Sequence, residues 1–379
     1  MNQTRKRFIK LVIFFTVVVG LWGAAQKASQ QWQDQSQQAK ALIQEIDEQL
    51  KIERQGVERK RLAEKRATLS NSLPEIRNFE GVFLILAVFF YGFGLMPSGL
   101  LLDQATRTFG HRPPLDLSLA AQTIGHIGKY VPGKALVVVL RASVLGRAGV
   151  PFRDSTLCIF IETLMMMAVG GSLSAAVLLW LPLPSWILWL AILAAIGSSI
   201  PTFPPVLQWI IEKIATSREN QSPRGGSETR AENLEQDDVA LNRFHAYRHS
   251  QGMQWRLFGA GWLLSIWTWL LFGLSFACII MSVPTANPIP FGFELMAIST
   301  AAISLAIVAG FASLLPGGAG VRELVLASIL GVLLSPSHGL IAAILARLVH
   351  LAVEVCFASL AWIWITYRFP NAQASAQSS

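Results

Sequence analysis

SLLPGGAGVRE, from Ser313 to Glu323, interrupts one of the most apolar parts of this chain. The residues before it read LMAISTAAISLAIVAGFA and those after it read LVLASILGVLL, and both runs are typical of membrane helices. A proline and three glycines between such runs break the helix, and lipid offers no partners to the backbone groups that the break frees. The stretch therefore predicts an interrupted membrane segment whose free backbone groups face protein or a water-filled cavity.

Composition places most of the chain in a membrane. Its 379 residues are 53% hydrophobic and 14% charged, whereas a soluble domain carries about 25% charged residues. About 20 apolar residues cross a bilayer core, and continuous apolar runs exclude a β-barrel. We predict an all-α, polytopic helical membrane protein with about six full spans, at 8–25, 81–102, 155–181, 185–207, 257–283 and 340–366, and two Pro/Gly-broken segments, at 117–147 and 292–335.

The first 78 residues predict an anchor followed by a stalk. Segment 1–25 has a basic start and a short apolar run, so it is either a retained span or a cleaved signal peptide. We predict retention, because the chain soon returns to the membrane. Segment 26–78 is polar with a partial apolar stripe, which predicts an extracytoplasmic helical or coiled-coil stalk. The stalk is a candidate surface for a protein partner or for self-association.

The basic residues predict the orientation of the chain. They give a net charge of +8 and lie at span ends and in loops, which is the positive-inside pattern and does not indicate nucleic-acid binding. The polar insert 208–256 has the composition of a flexible linker, and 368–379 is a short disordered tail. We predict a bacterial cytoplasmic membrane protein with both termini cytoplasmic. The cysteines have no metal or disulfide spacing, so we expect no metal and no cofactor.

A second interrupted stretch, GHIGKYVPGKALVVVLRASVLG from Gly125 to Gly146, resembles the first. Both place Pro-Gly after an apolar run, and both continue into a shorter run that ends in Leu-Gly. Interruptions at matching positions of two halves are typical of transporters with inverted repeats. If both segments are re-entrant, one enters from each side of the membrane. Alternatively, the breaks are loops between short spans, and their basic side chains extend to the lipid head groups.

Cationic side chains flank both interruptions. Lys129 and Lys134 lie beside the first, and Arg322 lies beside the second. The helix that starts after Gly320 is expected to direct unpaired N–H groups and a partial positive charge at the break, which favours a phosphate. These features predict a cationic site for a phospholipid head group.

Other ionisable residues lie inside apolar runs, where they are costly and usually paired. Glu162 is one, and Arg347, His350 and Glu354 share a helix face by their spacing. Candidate pairs are Arg322 with Glu162 or Glu354, and Arg141 or Arg347 with Glu323. Three alternatives remain open. Glu162 and Glu354 form purely structural ion pairs, Glu323 interacts only with the dipole of its own helix, or His350 forms a hydrogen bond between helices.

Two of these motifs together resemble a known family. GKYVPGK at Gly128–Lys134, with Arg141 and Glu162 downstream, and LPGGAGVRE at Leu315–Glu323 are similar to the lysylphosphatidylglycerol synthase transmembrane-region family of flippase-like proteins. The resemblance covers roughly residues 80–367 and implies a flippase-like transmembrane domain over 79–367. Beyond Tyr367 the sequence is too short for the soluble aminoacyltransferase domain of full-length members, so the resemblance implies the role of the membrane part and not lipid synthesis.

The resemblance implies a protein that binds an anionic or aminoacylated phospholipid, or a polyprenyl-phosphate-linked lipid, and translocates it between leaflets without catalysing a reaction. The alternatives are a membrane enzyme acting on a lipid-linked substrate and a membrane scaffold that uses the stalk. The candidate lipid site comprises Lys129, Tyr130, Pro132, Gly133, Lys134, Arg141, Glu162, Pro316, Gly317, Gly318, Gly320, Arg322, Glu323, Arg347, His350 and Glu354.

Overall fold

The protein is all-α, as predicted. A computed structural model describes residues 30, 33–34, 37–52, 56–72, 78–130, 135–219, 251–285, 290–313, 315–334 and 336–369, and these contain no strand. The helices are α1 at 37–52, α2 Val57–Ser72, α3 Gly81–Thr108, α4 Leu115–Gly128, α5 Ala135–Gly146, α6 Phe152–Leu178, α7 Ser185–Ser199, α8 Pro204–Glu219, α9 Gln251–Ser282, α10 Phe293–Ala312, α11 Val321–Leu333 and α12 Pro336–Arg368, with 3₁₀ turns at Ile200–Thr202 and Pro316–Gly318.

Six helical segments in the described part of the chain are long and apolar enough to cross a bilayer: α3, α6, α7 with the following turn, α9, α10 and α12. Five of them correspond to predicted spans. The sixth, α10, lies in the segment 292–335; its 20 residues are uninterrupted, and the predicted break follows its C-terminal end. Pro316 lies beyond the apolar run and therefore ends the segment without splitting it. The predicted span at 8–25 lies outside the described residues.

The first broken segment is a pair of short helices. α4 has 14 residues and α5 has 12, which correspond to about 21 and 18 Å of helix, shorter than the bilayer core of about 30 Å. The two helices pack against each other, and α4 also packs on α3 and α12. Gly128 permits this contact, because a Cβ there would lie 2.6 Å from the backbone nitrogen of Val137 on α5. These lengths favour a re-entrant hairpin.

Two apolar clusters hold the spans together. One is built mainly from α9, α10 and α11 around Trp269 and Phe276, and the other joins α3, α4, α5 and α6 around Leu101 and Leu117. The most extensive packing is between α3 and α9, and α6 packs on both α7 and α10. α5 and α10 both pack on α6, but they do not pack extensively on each other. A gap between α5 and α10 is therefore closed on one side by α6.

The stalk forms a helical hairpin at its described residues. Gly56, which has φ 130°, lies between α1 and α2. Arg66 donates two hydrogen bonds to the carboxylate of Asp47, at 2.5 and 3.2 Å, and so joins the two helices. Among the apolar side chains of the two helices, Ile46 is buried, whereas Leu42 and Val57 are exposed.

The hairpin should respond to pH through this ion pair. The hydrogen bond from Arg66 lowers the pKa of Asp47 below its ordinary value, so the pair stabilises the hairpin above that ordinary value and is lost as pH falls through the lowered pKa. Because exposed ion pairs contribute little, we expect partial opening. Spin labels on α1 and α2 of the full chain report the distance between the two helices. Between pH 7 and about pH 3, a second, longer distance that corresponds to the open hairpin should appear. Asp47→Asn should show it at pH 7, and an unchanged distance in both cases would contradict this role.

Candidate functional site

The two interrupted segments meet in the structure. The backbone N–H of Gly317 donates to the carbonyl oxygen of Lys129 at 2.6 Å, which joins the 3₁₀ turn after α10 to the end of α4. Arg347 of α12 donates to the carbonyl oxygen of Gly317 at 2.9 Å. Its guanidinium also lies 5.7 Å from the ring centre of Tyr130. Backbone groups that the breaks release therefore find partners in each other and in Arg347.

Gly317 is required at this junction for two reasons. Its φ of 58° lies in the left-handed region, which side chains other than hydrogen disfavour. A Cβ at this position would also lie 2.8 Å from Nη2 of Arg347 and 3.0 Å from the ring of Tyr130. A larger residue would therefore push apart the groups that hold the two breaks together.

Glu354 accepts hydrogen bonds from three side chains on the α4 side of this junction. Its side chain is 1% exposed and accepts hydrogen bonds from Lys129, from Tyr91 and, at 2.8 Å, from Tyr130. Nδ1 of His126 lies 3.9 Å from the same carboxylate. Lys129 is thus bound to a carboxylate of α12.

A second buried ion pair joins α5 to α6. Arg141 donates to Oε2 of Glu162 at 2.7 Å, and both side chains are buried. Gln122 donates to the other carboxylate oxygen at 3.1 Å and to Ser98 at 3.0 Å. Gly125 leaves room for this pair, since a Cβ there would lie 2.3 Å from Nε of Arg141.

The third carboxylate, Glu323, lies at the start of α11. Arg347 donates to its Oε1 at 3.2 Å, and the N–H of Gly320 donates to its Oε2 at 2.7 Å. Glu323 thus caps the N–H of Gly320, the residue before the helix, while the expectation that the first N–H groups of the helix itself face a phosphate stays a prediction. The alternative reading of Glu323, as a partner of its own helix end, fits this geometry.

Arg322 differs from the other cations of the site. It is 7% exposed, and in the described residues no carboxylate lies within ion-pair distance of it. Its aliphatic part passes between two glycines, since a Cβ on Gly310 or Gly318 would lie 2.6 or 3.1 Å from its Cγ. The two glycines thus leave the space through which this side chain passes.

Arg322 lies on the wall of a cavity of about 310 Å³ between α4, α5, α6 and α10. The polar side chains of the wall are those of Tyr91, Gln122, His126, Lys129, Arg141, Thr156, Glu162, Thr163 and Arg322. The remaining wall is apolar and includes Met166, Ile307 and two phenylalanines, Phe160 and Phe311. These phenylalanines are 41% and 43% exposed, so the apolar end of the cavity reaches the outer surface of the helix bundle.

The structure decides between the predicted ion pairs. Arg347 is the partner of Glu323, which was one of the alternatives. The pairing of Arg322 with Glu162 or Glu354 is wrong, because Arg141 and Lys129 take those carboxylates. Neighbouring residues on a helix point about 100° apart, which explains why Glu323 reaches Arg347 while Arg322 points in a different direction.

The other candidate residues have mixed positions. Pro316 begins the 3₁₀ turn, and Gly320 precedes α11 with φ 89°. His350 is buried behind the cavity wall, where its ring stacks on Tyr91 at 3.8 Å and neither ring nitrogen has a partner in the described part of the chain. Pro132, Gly133 and Lys134 lie outside the described residues.

Four residues of the site were missed by sequence reasoning. Tyr91, Gln122, His126 and Gly310 all contact the predicted residues or line the cavity. Gln122 and His126 are polar residues four apart in an apolar run, AAQTIGHIG, and this spacing on one helix face was a usable signal. Tyr91 and Gly310 had no such signal, since their roles depend on how the helices pack.

A comparison with protein families finds a match over most of the chain. The family model described as "Lysylphosphatidylglycerol synthase TM region" matches residues 62–358, a range that contains both interruptions and every described side chain of the cavity wall. The match begins within α2 of the stalk and ends within α12. No curated protein matches the chain.

Proposed function

The chain belongs to the lysylphosphatidylglycerol synthase transmembrane-region family, and on that premise we propose that it binds a membrane lipid by its phosphate group and moves that lipid between the two leaflets. Arg322 binds the phosphate in the cavity. The apolar wall towards Phe160 and Phe311 receives the hydrocarbon chains, which extend into the bilayer through the gap between α5 and α10.

The observation that carries the proposal is that the charge of Arg322 has no carboxylate partner in the part of the chain that the structure describes. A buried guanidinium without a counter-ion is costly, and proteins normally pair or remove such a charge. The cations around it, Lys129, Arg141 and Arg347, each have a carboxylate partner. Phosphate is the abundant anion of a membrane, and the planar guanidinium binds it through two parallel hydrogen bonds.

Translocation is supported by the position of this charge. Arg322 follows the break after α10, and Lys129 follows α4 of the short hairpin, so the site lies where two interrupted segments meet. Interrupted helices that meet at a substrate site are characteristic of transporters that open alternately to the two sides of a membrane.

Arg322→Gln should lower lipid movement about tenfold to a hundredfold, because a hydrogen bond to a charged group contributes about 1.5–3 kcal/mol. The measurement is the transfer of a fluorescent phospholipid across vesicles that contain the purified protein. Arg368→Gln is the matched control, since this arginine is exposed at the end of α12 and should retain the wild-type rate. Wild-type rates equal to those of empty vesicles for several head groups, or an Arg322→Gln variant that transports normally, would overturn the proposal.

A further inference from the structure

The charges around the cavity do not balance, and the imbalance indicates which head group fits. The charged groups are three carboxylates, Glu162, Glu323 and Glu354, and four cations, Lys129, Arg141, Arg322 and Arg347. Each carboxylate is bound to a different cation, and Arg322 remains. In the described residues this network therefore carries one excess positive charge, which matches the single negative charge of a phosphodiester.

The carboxylates have no free oxygen to offer an incoming amine. The oxygens of Glu354 accept from Lys129, Tyr91 and Tyr130. Those of Glu162 accept from Gln122, Arg141 and Thr163, and those of Glu323 accept from Arg347 and the N–H of Gly320. Glu162 is the only carboxylate among the described residues that line the cavity. An ammonium group would therefore enter a positively charged site in which each of these carboxylates already has a cationic partner.

Neutral polar atoms, in contrast, are available. Oε1 of Gln122 and Nε2 of His126 are buried and have no hydrogen-bond partner in the described part of the chain. Both side chains line the cavity and lie four residues apart on one face of α4. An amide oxygen accepts a hydrogen bond from a hydroxyl, and a neutral imidazole nitrogen exchanges one with it. Unsatisfied buried polar atoms of this kind call for a partner.

We propose that the cavity selects a lipid whose phosphodiester carries an uncharged, hydroxyl-bearing head group, and that it disfavours aminoacylated and other amine-bearing head groups. Arg322 binds the phosphodiester, while Gln122 and His126 bind the hydroxyls. This inference rests on the proposed function, because it assigns the selectivity of the same site. It narrows the lipid classes implied by the sequence resemblance, which included aminoacylated phospholipids.

The test is a competition between lipids that share acyl chains. The purified full chain is equilibrated with equal amounts of phosphatidylglycerol, phosphatidylmethanol, phosphatidylethanolamine and lysyl-phosphatidylglycerol, and the retained lipids are quantified by native mass spectrometry. We expect phosphatidylglycerol to be retained about tenfold more than lysyl-phosphatidylglycerol, because like charges within one cavity repel. Phosphatidylethanolamine should lie between them. Equal or preferred retention of lysyl-phosphatidylglycerol would overturn the inference.

Two variants test the hydroxyl contacts and the phosphodiester contact separately. Gln122→Leu should remove the preference for phosphatidylglycerol over phosphatidylmethanol, which has the same charge and no hydroxyls, while retention of phosphatidylmethanol shows that the variant is folded. A preference that survives this change would overturn the role of the hydroxyls. Arg322→Gln should lose both lipids. If it retains them as the wild type does, the proposed function fails as well, whereas a failure of charge selectivity alone leaves the proposed function intact.

Discussion

Replacing Glu354 with alanine should destabilise the folded protein by about 3–5 kcal/mol, the usual cost of removing one partner of a buried ion pair. The substitution leaves the ammonium of Lys129 without its carboxylate and removes the acceptor for two tyrosine hydroxyls, Tyr91 and Tyr130. Unfolding in mixed micelles with increasing denaturing detergent, followed by tryptophan fluorescence, measures the change.

Two controls test whether the cost comes from the unpaired charge. Glu294→Ala removes an exposed glutamate at the start of α10 and should change stability little. The double variant Lys129→Met with Glu354→Leu removes both charges and should recover most of the lost stability, because an apolar pair of similar volume carries no uncompensated charge. A Glu354→Ala protein as stable as the wild type would show that this ion pair does not hold α4 against α12.

The second large effect is expected at Gly128. Gly128→Ala places a methyl group 2.6 Å from the backbone nitrogen of Val137 and 2.8 Å from the carbonyl carbon of Leu136. Backbone atoms cannot rotate away as a side chain can, so α4 and α5 must move apart. We expect a loss of about 3 kcal/mol, the upper end of the cost of overpacking. Lipid retention should fall together with stability, because Lys129 and Arg141 would move with α4 and α5.

Gly146→Ala is the matched control in the same hairpin. A Cβ at Gly146, the last residue of α5, meets no atom within 4 Å. Alanine there should be neutral or stabilise the protein by up to about 1 kcal/mol, because it restricts the unfolded chain. The same detergent unfolding experiment compares the two variants. Equal effects from both would show that the α4–α5 contact is not as close as the structure has it.

The sequence was sufficient for the helical membrane fold and for the location of both interruptions. Proline and glycine in an apolar run are local signals, and they predict a break wherever the chain folds. The same signal left open whether the segment before Pro316 spans the membrane, and the structure shows that this apolar run forms a helix long enough to span on its own. Periodicity within a run does not reveal whether a break lies inside a span or at its end.

The sequence does not predict which cation pairs with which carboxylate, and the reason is physical. The candidate cations and carboxylates lie on different helices, and which of them meet depends on helix packing and rotation. Arg347 could be assigned to Glu323 only as one alternative, and the pairing of Arg141 with Glu162 across 21 residues was not considered. The unpaired state of Arg322 became visible only when the partners of the other cations were known. Neutral polar residues such as Gln122 carry no charge that would mark them as costly inside an apolar run, so the sequence did not indicate their role.

The hydrogen bond between Gly317 and Lys129 constrains any transport cycle. It is made by two backbone groups, so no side-chain rotation can exchange one partner for another. A cycle that pulled the two interruptions apart would leave an N–H and a C=O without these partners and, where no water replaced them, would add a barrier of several kilocalories per mole. A cycle that keeps this junction as a stationary pivot, with the long outer helices rocking about it, meets no such barrier.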